Sequence, residues 1–171
     1  MQATVTQFVA GLDGESNRSA LLPVFQALAD RYSSQTFTSA ALRIKGGSAS
    51  AIVQTNAVYA GIANGRLIAK ATATDLPALV GTVANATFNV FAFFIDSASA
   101  LTTSLGIAAT TLAGVTFPAI PAGKAVIGYV VINPTGTGGF VGGTTVLDDA
   151  TVVPNAVFVN TLGAFDPSVA V

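Results

Sequence analysis

The chain has 171 residues, of which 51% are apolar and only 9% charged. Its net charge is −1, and it contains no cysteine, histidine or tryptophan. An ordinary soluble domain is roughly one quarter charged, so little repulsion keeps copies of this chain apart. The length suits one domain, or one domain with an arm. Without cysteine there are no disulfides or thiolate metal sites, and without histidine zinc loses its other usual ligand. The few Lys and Arg are scattered, unlike the basic footprint of a nucleic-acid binder. The most apolar stretch, "FNVFAFFID", is far shorter than the ~20 residues of a membrane-spanning helix. "MQATVTQFVAGLDGE" lacks a basic segment ahead of an apolar core, so no signal peptide is expected. Three Tyr and no Trp are too few for the aromatic girdles of an outer-membrane barrel. Neither nucleic acid nor membrane is expected as a partner. The low charge points instead to a surface covered by other copies or by a larger partner.

In chain order, residues 1–17 read as an arm that ends in the polar, turn-rich "GLDGESN". "RSALLPVFQALADRY" follows. Here Leu21, Leu22, Phe25, Leu28, Ala29 and Tyr32 recur at the spacing of one helix face. Pro23 belongs in or near the first turn of that helix, because deeper inside it would remove a hydrogen bond and clash with a carbonyl. After "SSQTFTS" the period falls to two. In "ALRIK", Leu42 and Ile44 alternate with Arg43 and Lys45, as in a half-buried strand. Asn64-Gly65 supplies the positive φ angles of a type I′ turn and predicts a hairpin of Tyr59–Ile62 with Leu67–Ala71. "TDLPAL" reads as a loop.

"ATFNVFAFFID" is the strongest strand. Phe88, Val90, Ala92 and Phe94 face one way, and Phe91, Phe93 and Ile95 the other. With both faces apolar, the strand is either central between two layers or turned toward a subunit interface. "SLGIAATTLAGVTF" fits a helix or a strand. Its Thr and Gly, and the preference of β-branched residues for a pleated surface, favour the strand. "PAIPAG" is a stiff turn, "KAVIGYVVI" a second buried strand, and "NAVFVNTL" closes the set. Many short strands, regular turn signals and a single helix predict a mainly β fold: an antiparallel β-sandwich or jelly-roll-like domain over 36–171, preceded by an arm and short helix over 1–35.

The glycine-rich "NPTGTGGFVGG" after a strand raises the question of a nucleotide site. The dinucleotide fingerprint fails at its third glycine, where Val141 stands. The phosphate-binding loop fails where its lysine is needed, at Thr144, and no helix is expected to follow. Turn chemistry is the better reading. Asp148-Asp149 could offer oxygens to a calcium ion, but no ligand-spaced series accompanies them, and a solvated turn is favoured. Asp13 and Glu15 lack the spacing of an EF-hand. "GES" at Gly14–Ser16 has no histidine to activate the serine. The Phe cluster reads as core rather than as a ligand platform. No catalytic residue, cofactor or metal is expected, and the chain is not expected to be an enzyme.

The run from "VYAGIANGRLIAKA" through "FPAIPAGKAVIGYVVI" to "GGFVGGTTVLDD" resembles small tailed-bacteriophage virion proteins of the head-decoration (cement) or head-fibre kind. The resemblance covers roughly residues 56–165. It implies a structural protein, present as homo-oligomers such as trimers, on the capsid exterior. There it would bind the major capsid protein and tie neighbouring capsid subunits together. A tail or fibre protein involved in host attachment is the alternative. On this reading the helix, through Leu21, Leu22, Phe25, Leu28 and Tyr32, and the second face of the strong strand, through Phe91 and Phe93, are the expected interface residues.

Overall fold

The computed structural model describes residues 15–169. It is mainly β, with antiparallel sheets and one α-helix among the described residues. The expected N-terminal arm lies outside the described residues up to residue 14. Its last three residues belong to the helix, α1, which runs Glu15–Ser33. Because the helix starts early, Pro23 falls inside it rather than in its first turn. Its missing N–H leaves the Ser19 carbonyl without the usual bond one turn on.

The centre is a four-stranded antiparallel sheet. It is built from β7 (Asn89–Ile95), β8 (Leu101–Leu105), β9 (Ala125–Ile132) and β11 (Val157–Asn160), in the order β11-β9-β7-β8. A three-stranded antiparallel sheet combines β1 (Gln35–Thr36), β4 (Tyr59–Ala63) and β5 (Arg66–Lys70), in the order β1-β4-β5. Two short ribbons complete the fold. One pairs β2 (Arg43–Ile44) with β3 (Val53–Gln54), and the other pairs β6 (Thr82–Val83) with β10 (Phe140–Val141). The β4–β5 hairpin turns at Asn64 (φ 49°) and Gly65 (φ 74°), the left-handed pair that a type I′ turn requires.

Two apolar clusters lie on opposite faces of the central sheet. Phe91, Phe93, Ile95, Ile127 and Ile132 pack toward Tyr59, Ala63 and Ile68 of the three-stranded sheet, in a β-sandwich-like core. Val90, Ala92, Phe94 and Tyr129 pack under Val115, Phe117 and Phe165 on the other face. Every residue of β7 and β9 is buried. The cover of the second face is the segment expected to be a strand. Only its start belongs to β8. The rest crosses back over the sheet through the bridges Ile107–Thr116 and Phe88–Ala109 and a short 3-10 turn at Leu112–Gly114.

The β7–β9 ladder contains a bulge. Phe93 pairs with Gly128 and Phe94 with Val126, so Ile127 is the extra residue. The bulge inverts the alternation of β9. Before it, odd-numbered Ala125 and Ile127 face the first cluster, and after it even-numbered Val130 and Ile132 do. Glycine is needed at 128 because a Cβ there would lie 2.5 Å from the Val159 carbonyl and 2.7 Å from Leu42 Cδ1. Beside the bulge, the Val126 carbonyl accepts two buried hydroxyls, from Thr36 Oγ1 at 2.7 Å and Thr161 Oγ1 at 2.5 Å. Thr36 Oγ1 also lies 3.1 Å from the Tyr59 hydroxyl. Burial pushes the Tyr59 phenol up from its ordinary value, and the Thr36 hydrogen bond partly opposes that.

Candidate interaction surface

The glycine-rich loop is occupied by the chain itself. Thr137 N donates to the Thr151 carbonyl at 2.6 Å, and Gly142 N to the Gly81 carbonyl at 2.9 Å. A Cβ at Gly136 would collide with the Thr151 carbonyl, so this glycine serves close backbone packing. The residues that follow form turns rather than a helix. The loop amides of Gly136, Thr137 and Gly142 therefore already serve the fold.

The acidic pair is likewise used locally. Both Asp148 carboxylate oxygens accept from Ala49 N, at 3.1 and 3.0 Å, which fastens the turn before β3. Asp149 Oδ1 accepts from Thr151 N at 2.8 Å and Thr151 Oγ1 at 2.6 Å. Those two bonds, the hydroxyl's first, hold its carboxyl below the usual carboxylate range. Among the described residues, no group of three or more acidic, His or Cys side chains could hold a metal ion. No described helix is long and apolar enough to cross a membrane.

The expected interface residues divide into two groups. Phe91 and Phe93 are fully enclosed by the chain's own core, and Phe91 packs edge-on to Phe140 at 5.8 Å between centroids. Neither leaves surface for another molecule, which corrects their assignment to an interface. Their apolar face is covered by the three-stranded sheet and the two ribbons. The helix residues lie differently. Leu21, Leu28 and Tyr32 are exposed, while Leu22 and Phe25 are half-buried. Val24, which the sequence reading omitted, is 60% exposed. At 21, 24, 28 and 32 these side chains recur every three or four residues, so they form one stripe along the helix.

A second apolar face was not anticipated. In the β1-β4-β5 sheet, Tyr59, Gly61, Ala63 and Ile68 turn inward and are buried. The residues between them turn outward. Ile62 stands opposite Leu67, and Ala60 opposite Ala69. Alternation adds Val58 and Phe37, which are 59% and 49% exposed, while Leu67 reaches 74%. No charged residue occupies an outward position; Arg66 and Lys70 stand opposite inward-facing Ala63 and Tyr59. An antiparallel sheet with one solvated face ordinarily alternates apolar and polar, and this one does not. The signal lay in the two residues flanking Asn64-Gly65 on each side: a hairpin reading pairs Ile62 with Leu67 on a single face.

The stripe and the sheet face adjoin. Gln35 Nε2 donates to the Tyr32 carbonyl at 3.0 Å, Gly65 N to the Ser33 carbonyl at 2.8 Å, and Asn64 N to Ser34 Oγ at 3.1 Å. The helix C-terminus is thus tied to the hairpin turn. Nearby, a cavity of about 300 Å³ separates Ala27 of α1 from Ile120–Lys124 and Phe165. Among the described residues its one cationic group, Lys124 Nζ, donates to Thr102 Oγ1 at 2.9 Å. In comparisons with known proteins, no family model, no curated protein and no solved structure matches this chain.

Proposed function

We propose that the chain is a structural virion protein of a tailed bacteriophage. It acts as a decoration or cement protein that binds the outside of the head as a homo-oligomer, such as a trimer, and stabilises contacts between major capsid subunits. Its role is mechanical rather than enzymatic. The observation that carries the reading is the pair of adjoining apolar faces, the helix stripe and the outer hairpin sheet, on a chain with only 9% charged residues. Contiguous exposed apolar surface marks an interaction site in a soluble protein. The resemblance of "FPAIPAGKAVIGYVVI" and "GGFVGGTTVLDD" to head-decoration proteins supplies the kind of partner.

The test is gold-labelled antibody electron microscopy on particles of the phage that encodes the chain. Dense, even label over heads is the expected result. Label confined to tails assigns the protein to the adsorption apparatus, and particles without label end the virion reading.

A further inference from the structure

We infer that helix α1 of one copy lies on the outer face of the β1-β4-β5 sheet of a second copy. The two unpartnered faces of this chain thereby cover each other between molecules. The inference rests on the self-assembly part of the proposed function, and not on its place on a virion.

The helix cannot stand alone. Isolated helices of this length are marginal in water, and most helix stability in proteins comes from packing an apolar face. Pro23 inside α1 removes a hydrogen bond and weakens it further. Yet Leu21, Val24, Leu28 and Tyr32 are exposed, so its own β domain does not cover that face. The outer sheet has the same deficit, with Leu67 at 74% exposure and no charged residue among its outward positions.

A helix stripe against a sheet face is one of the few stable ways to join layers. Pairing helix with helix would cover the stripes and leave every sheet face bare. Pairing helix with sheet covers both. The area is also sufficient. Seven large side chains, each about half exposed, offer on the order of 100 Å² each; when two copies exchange helices reciprocally, all of it, roughly 700 Å² per chain, enters one interface, near the ~800 Å² per partner of a stable one. Within one chain the bonds from Ser33 and Ser34 to the hairpin turn fix where the helix leaves the sheet. Two copies that exchange helices in this way present the same patch to each other, an isologous contact about a two-fold axis.

The absence of native cysteine gives a clean test on the purified full-length chain. Leu28→Cys and Leu67→Cys are made separately, one carrying a size tag, then mixed and oxidised. The expected product is the mixed disulfide, one tagged and one untagged chain. Homodimers of Leu28→Cys alone, at equal or higher yield, would show a helix-to-helix seam and overturn the inference. So would an oxidised mixture that stays monomeric.

Leu67→Glu is the second variant. It should keep the wild-type circular dichroism spectrum and melting temperature of its monomer while weakening self-association at least tenfold by light scattering. Undiminished association overturns the inference. Cross-linking is independent of the gold labelling. A mixed disulfide with unlabelled heads removes the capsid reading alone, and labelled heads without a mixed disulfide remove this inference alone.

Discussion

The β7–β9 pair and the β4–β5 hairpin both carry large apolar side chains on two faces, yet only the first is covered twice by its own chain. Every residue of β7 and β9 is buried, between the three-stranded sheet on one side and the 107–120 crossing on the other. The hairpin buries Tyr59, Ala63 and Ile68 and leaves Ile62 and Leu67 facing outward. An apolar pattern therefore marks a surface that needs covering. Whether the cover comes from the same chain depends on distant segments. This is why the low charge of the sequence is compatible with a well-filled core and a separate exposed apolar surface.

The sharpest break of the comparison is a pair of truncations. Phe93→Ala removes a fully buried ring and should cost about 3–5 kcal/mol. Leu67→Ala, at an exposed position, should stay within about 0.5 kcal/mol for the monomer. Urea unfolding at low protein concentration measures both. Equal losses would mean that the hairpin's outer face is as well covered within the chain as the central sheet.

Gly128→Ala probes the bulge that lets β9 serve both faces. Its Cβ would meet the Val159 carbonyl and Leu42, and overpacking of this kind costs about 1–3 kcal/mol. The same substitution at Gly65, where nothing lies within 4 Å, meets only backbone strain at φ 74°, about 1–2 kcal/mol. Thermal melts of the two variants should rank them in that order.

Thr36→Val removes a hydroxyl that reaches both Val126 and Tyr59. A loss of about 1–3 kcal/mol is expected because the Tyr59 hydroxyl is left unsatisfied. Tyr59→Phe should cost less, about 1 kcal/mol, since Thr36 keeps its Val126 carbonyl. Tyr59 also sets an alkaline limit. Its folded pKa lies above its unfolded one, so its contribution is fully present below about pH 10 and lost as pH rises through the folded value. Tyr59→Phe should flatten the alkaline limb of the stability profile.

The smallest effect is expected at Asp149. Its folded pKa is lowered by Thr151, so the stabilisation is present above the usual carboxylate pKa and fades as pH falls through the folded value. Asp149→Asn should shift only the acid limb, and slightly, because solvent still screens this partly exposed turn carboxylate.

Much of the fold was legible wherever the signal was local. The alternation of β7, the run of β9 and the Asn64-Gly65 turn each sit within a dozen residues, and each lies where the pattern placed it. Long-range pairings were not legible. Nothing local to Thr82–Val83 announces Phe140–Val141 as its partner. Nothing in "KAVIGYVVI" marks Ile127 as a bulge, since after Lys124 every residue there is apolar or glycine and no alternation exists to break.

The same limit explains the site. Periodicity showed that Phe91 and Phe93 form an apolar face but could not say that Tyr59 and Ile68 cover it. Pro23 was set in a first turn because helix entry was read at Arg18, whereas the helix starts at Glu15. For the exposed stripe the opposite holds. Leu21, Leu28 and Tyr32 were placed on the helix because helix spacing is local, but the half-buried Leu22, Phe25 and Ala29 were grouped with them, and Val24 was left out.

The bond between Thr36 and Gly163 has a mechanical consequence. Thr36 N donates to the Gly163 carbonyl at 3.2 Å, and Gly163 N returns to the Thr36 carbonyl at 2.7 Å, as an antiparallel bridge. The helix arrives at one side of this bridge and the C-terminal residues leave from the other, both at the same end. A tug on the helix against the tail would therefore open the bridge like a zip, one bond at a time, before the load reaches β11 and its pairing with β9. A protein held by its helix would yield first at this small latch and keep its core intact.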